Sequence, residues 1–122
     1  CIRDRGGTEL INHQSVRMRL FDIWRKVEAC RAMSRRVAQY NFGPNGPHLL
    51  ASVTSKTFVT QTCFEAVSES LQLFGGNGLT KEYALEKLLR DARASLIADG
   101  ENNMLSLKGV DWLSKWYKSN HL

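Results

Sequence analysis

The sequence is poor in residues that interrupt helices and in residues that staple small folds. Only two prolines occur in 122 residues, and both lie in NFGPNGPH. Elsewhere no proline forces a break, so the composition leans towards helix. Three cysteines, Cys1, Cys30 and Cys63, are odd in number and share no C-x-x-C spacing. That argues against a disulfide framework or a zinc site and favours reduced packing residues, with no metal expected. No apolar run approaches the roughly 20 residues of a membrane span. No signal-peptide pattern is present either, so the expectation is a soluble intracellular protein of cytoplasm or mitochondrion. The formal charge is +5, yet basic and acidic residues alternate, as in KEYALEKLLRDAR. Without a basic arm or an RNA-binding aromatic motif, this is a solvated surface and no nucleic-acid partner is expected.

What is present is periodic. Apolar residues make up 43% and charged residues 24%, the balance of one globular domain with its own core. From Thr8 to about Tyr40, Val16, Leu20, Ile23, Val27, Cys30 and Val37 recur at helical steps. Phe21, Trp24 and Met33 widen that stripe, which predicts packing on more than one neighbour. NFGPNGPH stops the helix. A second is predicted from about Leu49 to Phe74, with Leu50, Val53, Thr57, Thr60, Phe64, Val67, Leu71 and Phe74 on one face. GGNG breaks it at Gly75. Thr80 then suits the N-cap of a third helix running from Lys81 to about Arg93, with Leu85, Leu88, Leu89 and Ala92 inward. A fourth is predicted from about Glu101 to Lys118, using Leu105, Val110, Trp112, Leu113 and Trp116, at some expense from Gly109. Short connections imply an all-α, up-and-down four-helix bundle, and nothing calls for a sheet.

Three stretches could carry chemistry. In LQLFGGNGLT the glycines serve a C-cap and turn, or let backbone approach a flat or phosphorylated ligand. The spacing is neither a G-x-G-x-x-G fingerprint nor a P-loop. RDRGG at residues 3 to 7 sets two guanidiniums beside paired glycines. It is either a frayed charged terminus or a pyrophosphate site. In LIADGENN, Asp99 precedes the last helix. It is either that helix's N-cap or, given an apolar setting and excluded water, a base.

QLFGGNGLTKEYALEKLLRDA followed by IADG resembles the C-terminal signature of the acyl-CoA dehydrogenase family. That signature runs Q-x-x-G-G-x-G-[YF]-x-x-[ED]-Y, then E-[KR]-x-x-R-D-[AS], then I-[FY]-E-G-[TS]. RDRGG is similar to the family's R-x-Q-[FG]-G, and Phe42, Ala51, Lys56, Ala66 and Gln72 match comparable positions on the two long helices. Order and spacing hold nearly end to end. The resemblance implies the family's C-terminal four-helix domain over residues 1–122, with the N-terminal helical and middle β-domains absent from the chain. It implies an FAD-dependent enzyme that dehydrogenates acyl-CoA thioesters at the α and β carbons. Asp99 then takes the place of the catalytic glutamate, its N–H and Gly100 lying on the substrate carbonyl side. Arg3 matches an arginine that reaches the FAD pyrophosphate across a dimer interface. Gln72, Gly75 and Gly76 match the segment along the neighbouring subunit's FAD, and Glu101 a position that contacts flavin. Arg90 and Asp91 match a structural pair holding the third helix to the loop before Asp99.

The resemblance further implies a homodimer or homotetramer, with Trp24, Met33, Phe58 and Phe64 as candidate interface residues. An electron-transfer flavoprotein or similar acceptor is implied as well. Several positions depart from the pattern. Asp99 is one methylene shorter than glutamate, Ala98 lacks an aromatic ring, and Glu101 replaces a hydroxyl residue. Arg5 stands where glutamine is usual, and Leu79 replaces an aromatic. D-G also occurs in relatives that oxidise nitroalkanes, so a nitroalkane oxidase-like flavoprotein is the alternative enzyme. A non-catalytic oligomerisation module is the alternative outside enzymes. Alone, the chain is not expected to turn over acyl-CoA.

Overall fold

The computed structural model describes residues 4–121. The chain begins not with a helix at Thr8 but with a small hairpin. Strands β1 (Asp4–Arg5) and β2 (Thr8–Glu9) pair Asp4 with Glu9 and Arg5 with Thr8. Gly6 and Gly7 turn it at φ values of 63° and 78°, where a side chain is strained. A 3-10 turn over Leu10–Asn12 follows, and α1 runs Gln14–Asn41. His13 Nε2 lies 3.3 Å from the Arg5 carbonyl oxygen, tying hairpin to helix.

Asn41 organises the exit from α1. Its side-chain oxygen accepts the His48 N–H at 3.1 Å, and its amide donates to Ser52 Oγ at 3.2 Å. Helix α2 (Leu49–Phe74) starts where His48 Nδ1 accepts the Ala51 N–H. It ends at Gly75, whose φ of 61° reverses the chain while its N–H caps the carbonyls of Leu71 and Gln72. A 3-10 turn covers Gly75–Leu79. Thr80 closes that turn by donating to the Asn77 carbonyl at 2.9 Å, so it does not cap the next helix. Helix α3 accordingly starts four residues later than Lys81, at Leu85, and runs to Ser95. Helix α4 covers Asn102–His121.

The expected all-α fold of four helices is present, with α2 as its axis; α3 and α4 follow one another along α2 in the same direction, so the up-and-down alternation expected does not extend to α4. Helices α1, α3 and α4 each pack on α2. Partner numbers fall on one helix as they rise on the other: Arg19 meets Glu69, Lys26 meets Glu65, and Asn41 meets Ser52. The same holds for Phe64 under Arg93 and Lys56 beside Leu96, and for Asn102 beside Thr60 with Gly109 against Val53. Each neighbour is therefore antiparallel to α2. The buried residues within the helices are small, Ser55, Thr62 and Ala66 on α2 and Cys30 on α1, while Gly78 and Leu96 are buried in the connections. Cys30 Sγ sits 4.0 Å from the Val59 carbonyl oxygen. Burial, with Cys63 alongside, pushes its thiol up to about 11. No helix among the described residues is long and apolar enough to cross a membrane.

Much apolar surface stays outside. The chain exposes 9059 Å², whereas a compact monomer of its mass exposes roughly 6,600 Å². Phe21 and Trp24 are 66% and 57% exposed, because α2 is the one long helix on which α1 packs closely. Leu88 on α3 is exposed too, as are Val110, Leu113 and Trp116 on α4, against the expectation that these turn inward. Only Leu105 and Trp112 of the expected α4 face are half-buried, since α4 meets just one helix closely.

Charges line the α1–α2 seam. Arg25 and then Lys26 hold Asp22 below the usual carboxylate range. Gln61 and then Lys26 lower Glu65, and Asp22 raises Lys26. Depressed carboxylates stabilise at neutral pH and lose that contribution as pH falls through their folded pKa values. The raised Lys26 contributes until the pH climbs past its own. Denaturant midpoints measured from pH 6 to 2.5 should therefore fall, and Lys26→Met should flatten that slope by lowering the midpoint above pH 5 while leaving the value near pH 2.5 little changed.

Candidate functional site

The site is built where α3 gives way to α4. Leu96, only 8% exposed, anchors the start of the connection by burying its side chain, a contribution of about 2 kcal/mol. The Ala98 N–H still bonds the Ala94 carbonyl at 3.0 Å, and then the chain reverses. Asp99 has φ of 56° and Gly100 of 111°. Aspartate is among the few side chains that tolerate this region. Gly100 has a second reason to be glycine. A Cβ there would meet Leu105 Cδ2 and Cγ at 3.1 Å. The loop closes as the Asn102 N–H donates to the Leu96 carbonyl at 3.2 Å.

The structure separates the two acids of LIADGENN. Glu101, not Asp99, caps α4. Its Oε2 accepts the N–H groups of Asn103 and Met104 at 2.9 and 3.1 Å. The Glu101 carboxylate, a candidate flavin contact from the sequence, is thus engaged by its own helix. Asp99 is exposed at the loop's crest, and its carboxylate makes no hydrogen bond or ion pair among the described residues.

Lys56 of α2 reaches across to this loop. Its ammonium donates to the Gly100 carbonyl at 2.7 Å, to Asn102 Oδ1 at 2.7 Å and to the Leu96 carbonyl at 3.5 Å. Asn102 in turn donates to Thr60 Oγ1 at 2.9 Å. Both ends of the Asp99 loop are therefore tied to one helix. No motif points to a role for Lys56, although it is the single charged residue between Leu49 and Phe64. Arg90 and Asp91 do not hold the loop. They pair along α3 with Glu86 and Lys87 at 3.0 and 2.6 Å.

The second candidate stretch lies at the other end of α2. Gln72 is exposed, its amide without a partner among the described residues. A Cβ on Gly76 would meet nothing within 4 Å, whereas one on the buried Gly78 would meet Leu71 O, Leu71 Cγ and Phe74 Cβ at 3.0 to 3.1 Å. Gly78 is thus a packing residue, and Gln72 with Gly76 forms an open edge that a flat group could approach. Between Lys56–Thr60 and Gln72, α2 rises roughly 18–24 Å, so one chain does not bring this edge to Asp99. Arg3 lies outside the described residues, and Arg5 is exposed on β1.

A family model described as the C-terminal domain of acyl-CoA dehydrogenase matches residues 2–111. The chain belongs to the acyl-CoA dehydrogenase family. It is 31% identical over 106 residues to the mitochondrial isobutyryl-CoA dehydrogenase of Dictyostelium discoideum, covering 87% of this chain and 26% of that protein. It is 29% identical over 102 residues to the cyclohexane-1-carbonyl-CoA dehydrogenase of Geobacter metallireducens, covering 83% of this chain and 26% of that one. The chain thus spans about a quarter of the length of these curated relatives. Butyryl-CoA dehydrogenase from Megasphaera elsdenii superposes with a TM-score of 0.84 at 25% identity, over 91% of this chain and 29% of that one. An acyl-CoA dehydrogenase from Slackia heliotrinireducens shares the fold at a TM-score of 0.86 and 22% identity, over 98% and 32%.

The two neighbouring glycines of this family segment differ in a measurable way. Gly78→Ala should destabilise by about 1–3 kcal/mol through overpacking against Leu71 and Phe74, and Gly76→Ala by less than about 0.5 kcal/mol. Urea unfolding of the two variants checks the contrast.

Proposed function

We propose that the chain is the C-terminal helical domain of an FAD-dependent acyl-CoA dehydrogenase, with Asp99 the base that removes the α-proton of the thioester. The observation that carries this reading is the division of labour in LIADGENN. Glu101 caps α4, and the Asp99 carboxylate stays free at the crest of a loop tied down at both ends. A free, fixed carboxylate is what proton abstraction needs, and a cap would not be. The α-proton moves to a carboxylate oxygen of Asp99. Its backbone N–H donates to the thioester carbonyl, where negative charge develops. FAD, when bound, supplies the acceptor for the β-hydride. Water exclusion around Asp99, exposed here, comes from the thioester and from the N-terminal and middle domains that belong with this one.

Gln72, Gly75 and Gly76 lie along the FAD of a second subunit, and Arg3 approaches its pyrophosphate. Two findings support that reading: the open edge at Gly76, and its distance from Asp99 along α2. Exposed Trp24 and Phe58, with the large apolar surface of the chain, support assembly into a homodimer or homotetramer. An electron-transfer flavoprotein reoxidises the flavin.

Asp99→Asn is the decisive variant because asparagine also accepts a left-handed backbone. In the complete flavoprotein it should lower flavin reduction by saturating acyl-CoA about 100-fold or more, with thioester binding retained. An unchanged rate would remove Asp99 from the chemistry and favour a purely structural module. Faster reduction by nitroalkanes than by any thioester would move the assignment to a nitroalkane oxidase. The isolated 122-residue chain, mixed with FAD and acyl-CoA, should show no bleaching of the flavin's visible absorption.

A further inference from the structure

We propose that Lys56 is a positioning residue for the Asp99 base, acting through the loop's carbonyls and not through charge pairing with the carboxylate. The inference rests on the reading of Asp99 as base. An ammonium has three protons, and here each meets an oxygen: Gly100 O and Asn102 Oδ1 at 2.7 Å, and Leu96 O at 3.5 Å. Among the described residues Lys56 pairs with no carboxylate, so its charge is directed wholly at carbonyl dipoles. Those oxygens bracket the loop. Leu96 O belongs to the last turn after α3, where carbonyls are left without helical donors and a cation is favoured. Gly100 O belongs to the residue directly after Asp99, and Asn102 opens α4.

The loop needs such a tie. Asp99 and Gly100 both have positive φ, and Asp99 is the only residue other than glycine to do so among the described residues. A left-handed aspartate relaxes readily to ordinary backbone unless its neighbours fix it. Holding Gly100 O and Leu96 O on one cation fixes the peptides on both sides of the crest, and with them the direction of the Asp99 side chain and N–H. Asn102 adds a second anchor by donating to Thr60 Oγ1 at 2.9 Å, one helical turn along from Lys56. Helix α2, the most contacted element, thus supplies the reference frame for the base. A shift of about 1 Å in a reacting group is enough for a 100-fold loss of rate.

The test uses Lys56→Met, which keeps the apolar stem and removes the charge, and Lys56→Arg, which keeps the charge with a different geometry. Both are made in the complete flavoprotein. Lys56→Met should lower the rate of flavin reduction by saturating acyl-CoA at least tenfold, while the thioester dissociation constant moves less than threefold. The primary isotope effect with α-deuterated thioester should rise, because a misdirected base makes proton removal more limiting. Amide exchange at residues 97–101 should quicken at least tenfold, with exchange in the α1–α2 seam unchanged. Lys56→Arg should fall between wild type and Lys56→Met in rate and in loop exchange.

Unchanged loop exchange in Lys56→Met would overturn the proposal. So would faster exchange with rate and isotope effect unchanged, which marks a merely structural lysine. If Lys56→Met does not fold, Lys56→Arg decides: rate and loop exchange must shift together, and either one staying at the wild-type value overturns the proposal. Failure of the underlying reading looks different. Asp99→Asn then keeps the wild-type rate, whatever Lys56→Met does to loop exchange.

Discussion

Close approach to α2 is the constraint on which the rest depends. The buried residues of that helix are Ser55, Thr62 and Ala66, none larger than threonine. Small side chains bring helix axes together, so that Cys30 Sγ lies 4.0 Å from a backbone carbonyl of α2. Gly109 repeats the pattern on α4, where an added Cβ would touch Val53 Cγ1 at 3.4 Å. Glycine in a helix interior is unfavourable by propensity, and here the close seam explains it. One slim central helix can therefore serve three neighbours, and a lysine on it can span the short gap to the α3–α4 loop.

Helix ends with a covalent cause were legible in the sequence. The NFGPNGPH turn and the GGNG break delimit α2 at Leu49 and Phe74 as expected, because proline and glycine act through backbone geometry that no tertiary contact replaces. Helix starts that relied on capping chemistry were not. Thr80 has the right hydroxyl, but the Asn77 carbonyl takes it first. Thr8 is drawn into a hairpin by Gly6 and Gly7. Periodicity found the apolar face of α4 and could not say what covers it. Trp116, 46% exposed, lies in a cleft of about 410 Å³ with Met33, Val37 and Leu50, on a face this chain leaves open. The Ser55–Thr62–Ala66 face was illegible for a different reason: burial there follows from size, and polarity-based patterns give serine and threonine no weight.

At the site, the motifs pointed to the right loop and left its internal division of roles open. Two acids two positions apart compete for one cap, and the winner depends on where the first helical turn begins. Once α4 starts at Asn102, Glu101 is adjacent to the free N–H groups and Asp99 is one reversal of the chain away. Lys56 had a visible signal, a lone charge in a long uncharged stretch, but its partners lie 40 to 46 positions downstream. No local pattern joins residues so far apart. Arg90 and Asp91 show the converse. They look like a motif pair and in the structure serve as ordinary i, i+4 partners on an exposed helix face.

That long separation has a kinetic side. The contacts of α1 with α2 close across the brief Phe42–His48 connection, whereas the Lys56–Gly100 bond spans 44 positions and needs α3 already docked. Chain entropy therefore favours the α1–α2 hairpin early and the α3–α4 loop late. A chain caught part-way through folding would hold most of its helix and little of its site. Helical content would then be a poor gauge of whether the aspartate stands in its working conformation.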